Sequence, residues 1–226
     1  MGFAEGAGNG HATRFSGTGS NNIDLGTLGR ANSTAYAVNN SGQIVGKATT
    51  ARQADRATLF GGTNFDLGTL GGFNSSAYGI NDAGHIVGDA ALAGNGAFHA
   101  TLFSGTGSNN IDLGTLGGTN SHAYAINSSG QIAGNSQYVI GDSGYHAFIY
   151  VNGTMTDLND LIVSGSGVSN VRLEDNGGRV PGANVSTTLA RSPLSATSSA
   201  PPTRFFSPLR ERVHPRPLRR LLLLLD

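Results

Sequence analysis

The chain has no cysteine and no tryptophan, and charged residues make up only 12% of its 226 positions. Without cysteine there is no disulfide framework, no thiolate zinc site and no cysteine nucleophile, although the compartment is not fixed by that absence. The charged fraction is about half the usual quarter, which argues against long charged helices and coiled coils. A formal net charge of zero gives no electrostatic reason to expect a nucleic-acid partner. No proline occurs before Pro181. Glycine is abundant instead: 35 residues, roughly twice average usage, as expected of short strands joined by many turns.

These averages conceal a boundary near residue 166. All seven prolines and nine of the fourteen basic residues lie beyond it, whereas 31 of the 35 glycines lie before it. Residues 1–166 carry a net charge of −5 and residues 167–226 a net charge of +5. The composition predicts a repeat domain over 1–166 and an Arg/Pro-rich, low-complexity, disordered tail over 167–226.

Self-comparison explains the first segment. Asp-Leu-Gly-Thr-Leu-Gly occurs at 24–29, 66–71 and 112–117, followed by a degenerate Asp157-Leu158-Asn159, at spacings of 42, 46 and 45 residues. Three further blocks share the register. One is a His/Arg-Ala-x-x-aromatic block at 11–15, 56–60, 99–103 and 146–150. The second is an Ala-Tyr-x-hydrophobic-Asn block ending at Asn39, Asn81 and Asn127, and the third a Gly-x-Ile-x-Gly block at 42–46, 84–88 and 130–134. Phe15–Gly29 and Phe103–Gly117 are identical over fifteen residues, the mark of a recent duplication.

Each unit reads as four short strands; in the unit from residue 56 these are 57–60, 65–67, 77–80 and 85–87. Asn39-Asn40-Ser41-Gly42, Asn81-Asp82-Ala83-Gly84 and Asn127-Ser128-Ser129-Gly130 are Asn-initiated turns with glycine where positive φ is needed, and they predict a hairpin of strands three and four. Four strands in about 45 residues is the size of a propeller blade. The predicted fold is all-β, a β-propeller-like array of about 3.5 four-stranded units, with a β-solenoid as the alternative. Tyr78 and Ile80 are expected on one face, with the small Ala77 and Gly79 facing a neighbouring sheet. Met1-Gly2 aligns with Val45-Gly46, so the chain opens at the end of a fourth strand, and no third or fourth strand is evident beyond residue 158. The array either closes as four blades, with the N-terminal strand completing the last, or is a fragment of a larger propeller. The fragment is preferred, because one strand cannot supply two.

These blocks resemble the HAF family of extracellular repeats over about residues 1–160. His146-Ala147-Phe148-Ile149-Tyr150 matches the name-giving motif, Asp112 through Gly118 the central block, and Ala123 through Asn127 with Gly130-Gln131-Ile132 the last. His11-Ala12-Thr13 and His99-Ala100-Thr101 depart from it by Thr for Phe, and Arg56-Ala57-Thr58 by the loss of His as well. The resemblance implies an exported bacterial protein, extracellular or at the cell surface, and supplies no catalytic residues. No secretory signal precedes Phe3, so export is an expectation from the resemblance alone. Leu221–Leu225 are far too few to span a bilayer, which needs about 20 apolar residues. The tail is read as a disordered basic segment or, alternatively, as a product of a shifted frame.

His11, His99 and His146, with Arg56 at the equivalent place, start the first strand of each unit, which in a propeller is the innermost. They are therefore candidate ligand-binding residues converging on a central channel, weighed against a role in capping strand ends. Asp24, Asp66 and Asp112 recur at glycine-rich turns and offer calcium oxygen ligands, but one per unit is too few, and an Asx-turn role is the preferred reading. Tyr36, Tyr78 and Tyr124 are read as core rather than as sugar-stacking residues. Asn32, Asn74 and Asn127 satisfy the glycosylation pattern by the abundance of Asn and Ser. No nucleophile elbow or phosphate loop is present.

The expected function is a non-enzymatic extracellular binding or structural module, with no catalytic residues, metal or cofactor, whose partner is a surface polysaccharide or other extracellular polymer. The first alternative is a propeller-type polysaccharide lyase or glycoside hydrolase fragment. Its acids would come from Asp55, Asp89, Asp142 and Asp160, and the chemistry needs two of them about 5–10 Å apart in one pocket. The second alternative is a gene remnant without activity.

Overall fold

The computed structural model describes residues 2–6, 9–17, 21–139, 144–162, 168–176 and 179–189. It is all-β apart from one 3₁₀ turn at Leu158–Leu161. β1 (Gly2–Gly6), β2 (Asn9–Arg14) and β3 (Ile23–Asp24) form a three-stranded first sheet. The second sheet is β4 (Gly29–Val38), β5 (Ile44–Thr50), β6 (Asp55–Phe60) and β7 (Phe65–Asp66). The third is β8 (Gly71–Ile80), β9 (Ile86–Leu92), β10 (Phe98–Phe103) and β11 (Ile111–Asp112). The fourth is β12 (Ser121–Ile126), β13 (Ile132–Gln137), β14 (Tyr145–Val151) and β15 (Thr154–Asp157), and a hairpin of β16 (Val168–Asn176) and β17 (Arg179–Leu189) follows. All pairings within sheets are antiparallel and between consecutive strands.

The sheets are offset by half a unit from the sequence repeat. The second, third and fourth sheets each begin with strands three and four of one unit and are completed by strands one and two of the next, and the first begins with strand four alone. The Asn-initiated turns close the predicted hairpins: the N–H groups of Gly42, Gly84 and Gly130 donate to the carbonyls of Asn39, Asn81 and Asn127, and those glycines have φ between 79° and 83°. The Gly-Thr-Leu-Gly bends link one sheet to the next.

Both faces of each middle sheet are buried, so adjacent residues of one strand serve opposite cores. On β5, Ile44 packs with Ala12 of the first sheet, while Val45 packs with Ala77, Ile86 and Phe103 of the third. On β9, Ile86 faces backward and Val87 packs forward with Ala123, Ile132 and Phe148. This is why β5 and β9 open on adjacent apolar residues, Ile44-Val45 and Ile86-Val87, rather than alternating apolar with polar.

A buried serine ties each sheet to the next. Ser75 Oγ donates to the Gly68 carbonyl at 2.6 Å and accepts from the Ala57 N–H at 2.9 Å; Ser33 and Ser121 do the same with Gly26 and Ala12, and with Gly114 and Ala100. Asparagine extends the stitching, with Asn39 Nδ2 donating to the Asn81 carbonyl (3.0 Å) and Asn81 Nδ2 to the Asn127 carbonyl (2.9 Å).

Several expectations change. The expected face-sharing of Tyr78 and Ile80 fails, because the register slips between Ala77 and Gly79: Tyr78 is the extra residue of a β-bulge, as Tyr36 and Tyr124 are in their sheets. Ile80 packs with Ala77 instead, and Tyr124 lies in a different core cluster from Ala123 and Ile126. The bulge also explains an invariant glycine of the repeat. A Cβ at Gly46, Gly88 or Gly134 would lie 1.9, 1.8 or 2.0 Å from the carbonyl oxygen of Thr34, Ser76 or His122 on the partner strand. The expected approach of a neighbouring sheet at Gly79 holds, a Cβ there lying 2.9 Å from the Tyr124 carbonyl oxygen.

The row of sheets is not a closed propeller. β1 pairs with β2 in the first sheet, and the fourth sheet already has four strands of its own, so the N-terminal strand does not complete the last sheet. The absence of strands beyond 158 is also corrected: β16 and β17 lie there, and Val171 of β16 packs with Ala133, Ala147 and Leu158. Strand structure thus runs past the compositional boundary near 166. Residues 190–226, the rest of the expected disordered tail, lie outside the described residues.

Candidate functional site

The recurrent His and Asp residues meet by sheet geometry. Asp24, Asp66, Asp112 and Asp157 on the outer strands lie opposite Thr13, Thr58, Thr101 and Phe148, each two residues after His11, Arg56, His99 or His146 on the neighbouring strand. Residues two apart share a face, so each Asp is the diagonal neighbour of its basic partner. His99 Nδ1 is 2.8 Å from both Asp112 oxygens, His11 Nδ1 is 2.8 Å from Asp24 Oδ2, and His146 Nδ1 is 2.5 Å from Asp157 Oδ2. Arg56 Nε lies 3.4 Å from Asp66 Oδ2.

The same carboxylates accept the N–H two residues on, from Gly26, Gly68, Gly114 and Asn159, at 2.7–2.8 Å. This is the Asx-turn geometry. The Gly26 N–H first, then the His11 imidazole, hold the Asp24 carboxyl below the usual carboxylate range.

The expectation that His11, His99 and His146 lie on the innermost strand is corrected. The half-unit offset places them on β2, β10 and β14, inside their sheets, while the sheets begin with the tyrosine strands β4, β8 and β12. Each histidine keeps to the aspartate of its own sheet, and among the described residues no three His, Cys, Asp or Glu side chains gather to hold a metal ion. Asn32 Oδ1 accepts from the Gly10 N–H, Asn74 Oδ1 from the Asp55 N–H, and Asn127 Nδ2 donates to Gln131 Oε1, so the three glycosylation-pattern asparagines serve the fold.

Two constellations were not evident from the repeat blocks. The first is a polar seam beside the tyrosine strands. The rings of Tyr36 and Tyr78 are 5.3 Å apart and those of Tyr78 and Tyr124 5.7 Å, both tilted. Asp89, only 4% exposed, accepts from the Tyr78 hydroxyl at 3.1 Å and meets His122 Nδ1 at 2.6 Å. Lys47 Nζ and Thr49 Oγ1 donate to the two oxygens of Asp55 at 2.8 and 2.9 Å. Burial, then the Asp89 carboxylate, pushes the Tyr78 hydroxyl strongly upward and keeps it neutral. Burial also raises Tyr36, where Asp55 and Asp89 add to the effect and Lys47 opposes it. Burial would lift the Asp55 carboxyl, but the Lys47 ammonium outweighs it and holds Asp55 below its ordinary value. Of the other unique acids, Asp160 lies in the 3₁₀ turn and Asp142 lies outside the described residues.

The second is a cleft of about 730 Å³ between the second and third sheets. Its lining includes Arg56 and Asp66, Arg52 and Gln53 from the β5–β6 loop, and Phe73 and Asn74 at the start of β8. Phe73 is 69% exposed. Three of these residues depart from the repeat: Arg56 replaces His, Phe73 stands where the other units have Ala31 and Thr119, and Arg52 lies in a loop whose sequence differs between units. Aligning the units column by column marks them in advance as the places where one unit differs from the rest.

No family model, curated protein or solved structure matches this chain.

Proposed function

We propose that this chain is a non-enzymatic extracellular binding module of the HAF type, a propeller-like array that engages a surface polysaccharide or other extracellular polymer. One observation carries the reading: the recurrent Asp, Ser and Asn side chains are occupied within the stack, whereas the departures from the repeat gather around an open cleft. Loops and unique residues on a repeated scaffold are where recognition is built.

The hydrolase alternative draws less support. Two of its described acids are held by donors: Asp55 by Lys47 and Thr49, Asp89 by Tyr78 and His122. A general acid needs a carboxyl pushed up, and Asp55 is held down. The test is retention of the purified full chain on a panel of insoluble polysaccharides, with soluble products assayed in parallel. Retention without released oligosaccharides is expected. Release of products that disappears in Asp89→Asn would favour the enzyme instead.

A further inference from the structure

The cleft between the second and third sheets carries more than an opening. Arg56 Nη1 is buried and has no hydrogen-bond acceptor, and it is the one such side-chain atom among the described residues. Its Nε contact to Asp66 is 3.4 Å, longer than the 2.8 Å of the equivalent His99–Asp112 pair. Asp66 is meanwhile held by the Gly68 N–H. The guanidinium, part of the cleft lining, is therefore only loosely tied to Asp66, and Arg52 adds a second cation against the single acid of the lining.

The other lining groups narrow the ligand. Phe73 offers an exposed aromatic face at the mouth, which an inorganic anion cannot use but the C–H face of a pyranose ring can. Asn74 spends its Oδ1 on the Asp55 N–H, leaving its NH₂ as a donor for a hydroxyl or ring oxygen. The volume falls within the roughly 300–1,000 Å³ of small-molecule sites. A planar guanidinium pairs bidentately with a carboxylate, as it does with a phosphate.

We infer that this cleft binds an acidic saccharide, with a uronate carboxylate on Arg56 and Arg52 and a sugar ring against Phe73. The inference rests on the binding-module reading above and names its ligand class. Isothermal titration of the full chain compares a galacturonate trisaccharide with the neutral galactose trisaccharide. The uronate is expected to bind at least tenfold more tightly. Arg56→His, which installs the residue of the three equivalent positions, should weaken uronate binding at least tenfold with an unchanged circular dichroism spectrum, and Phe73→Ala should weaken it several-fold. Arg52→Gln, on the loop outside the cores, should also weaken binding and serves as the second variant should Arg56→His unfold. Equal affinity for the neutral sugar, or for a sulfated oligosaccharide lacking uronate, overturns the assignment, as does indifference to both arginine variants. If the chain is retained on a polymer of the panel and both arginine variants leave retention unchanged, the ligand assignment falls and the module reading stands. No retention on any polymer overturns both.

Discussion

The junction between the second and third sheets and the junction between the third and fourth use the same scaffold and differ at the mouth. At both, a buried serine bridges the sheets, with Ser75 taking Ala57 and Gly68 at the first and Ser121 taking Ala100 and Gly114 at the second. At the second mouth His99 grips both Asp112 oxygens, Thr119 stands in place of Phe73, and the loop carries Gly94 and Gly96 in place of Arg52. At the first, Arg56 barely reaches Asp66 and retains a buried donor. Repeated positions hold sheets together, and the positions that escape the repeat are free to diversify.

That division can be broken in graded steps. The largest effect is expected from Gly88→Ala, whose Cβ would lie 1.8 Å from the Ser76 carbonyl oxygen and force the bulge apart, costing about 3 kcal/mol or more. Gly96→Ala, with nothing within 4 Å, should stay within about 0.5 kcal/mol in the same denaturant titration. Next, Ser75→Ala and Ser121→Ala should each cost about 2 kcal/mol, because each strands a buried N–H and a carbonyl. A marked inequality between the two would show that the junctions are not equivalent scaffolds.

Smaller effects follow from charge. Asp55 has a lowered carboxyl, so its stabilisation is present above the ordinary 3.8 and lost as pH falls through the lower folded value. Lys47 is raised, burial notwithstanding, because Asp55, Tyr36 and Asp89 favour its charged form; its contribution is present below 10.5 and lost as pH rises through the folded value. Both side chains are over a third exposed or close to it, so screening keeps the pair under about 1 kcal/mol. Asp55→Asn should therefore lower stability slightly at pH 7 and match the wild type near pH 2. The smallest stability change, within about 0.5 kcal/mol, is expected for Arg56→His, which restores the repeat; thermal melts check it.

How much of this was readable beforehand follows from the range of the interactions involved. The hairpins were legible because an Asn-x-x-Gly turn is local chemistry: Asn39 and Gly42 close it between themselves. Burial on both faces was legible from the blade-sized repeat and from the small Ala77 and Gly79 facing a neighbouring sheet. The phase of Tyr36, Tyr78 and Tyr124 was not, since a bulge is a property of two strands and shows in one strand only as an unexplained glycine on its partner. The half-unit offset was hidden for a similar reason: a repeat fixes a period but not where a sheet is cut. That error moved His11, His99 and His146 from a supposed central channel to the interiors of their sheets. The strands β16 and β17 carry none of the repeat blocks, so self-comparison had nothing to match there. Of the cleft, Arg56 was singled out as the position that breaks the histidine series, whereas Arg52 and Phe73 become visible only when the units are compared for their differences.

The half-unit offset has a consequence for synthesis on the ribosome. When one unit has fully emerged, its last two strands form a hairpin whose outer edge still lacks the two strands encoded by the next unit. An unpaired edge is exposed to association until roughly another half unit, some twenty residues, has followed. Each sheet is then finished by the unit that starts its neighbour, so the nascent chain acquires order in overlapping steps and no unit can be released as a separately folded bead.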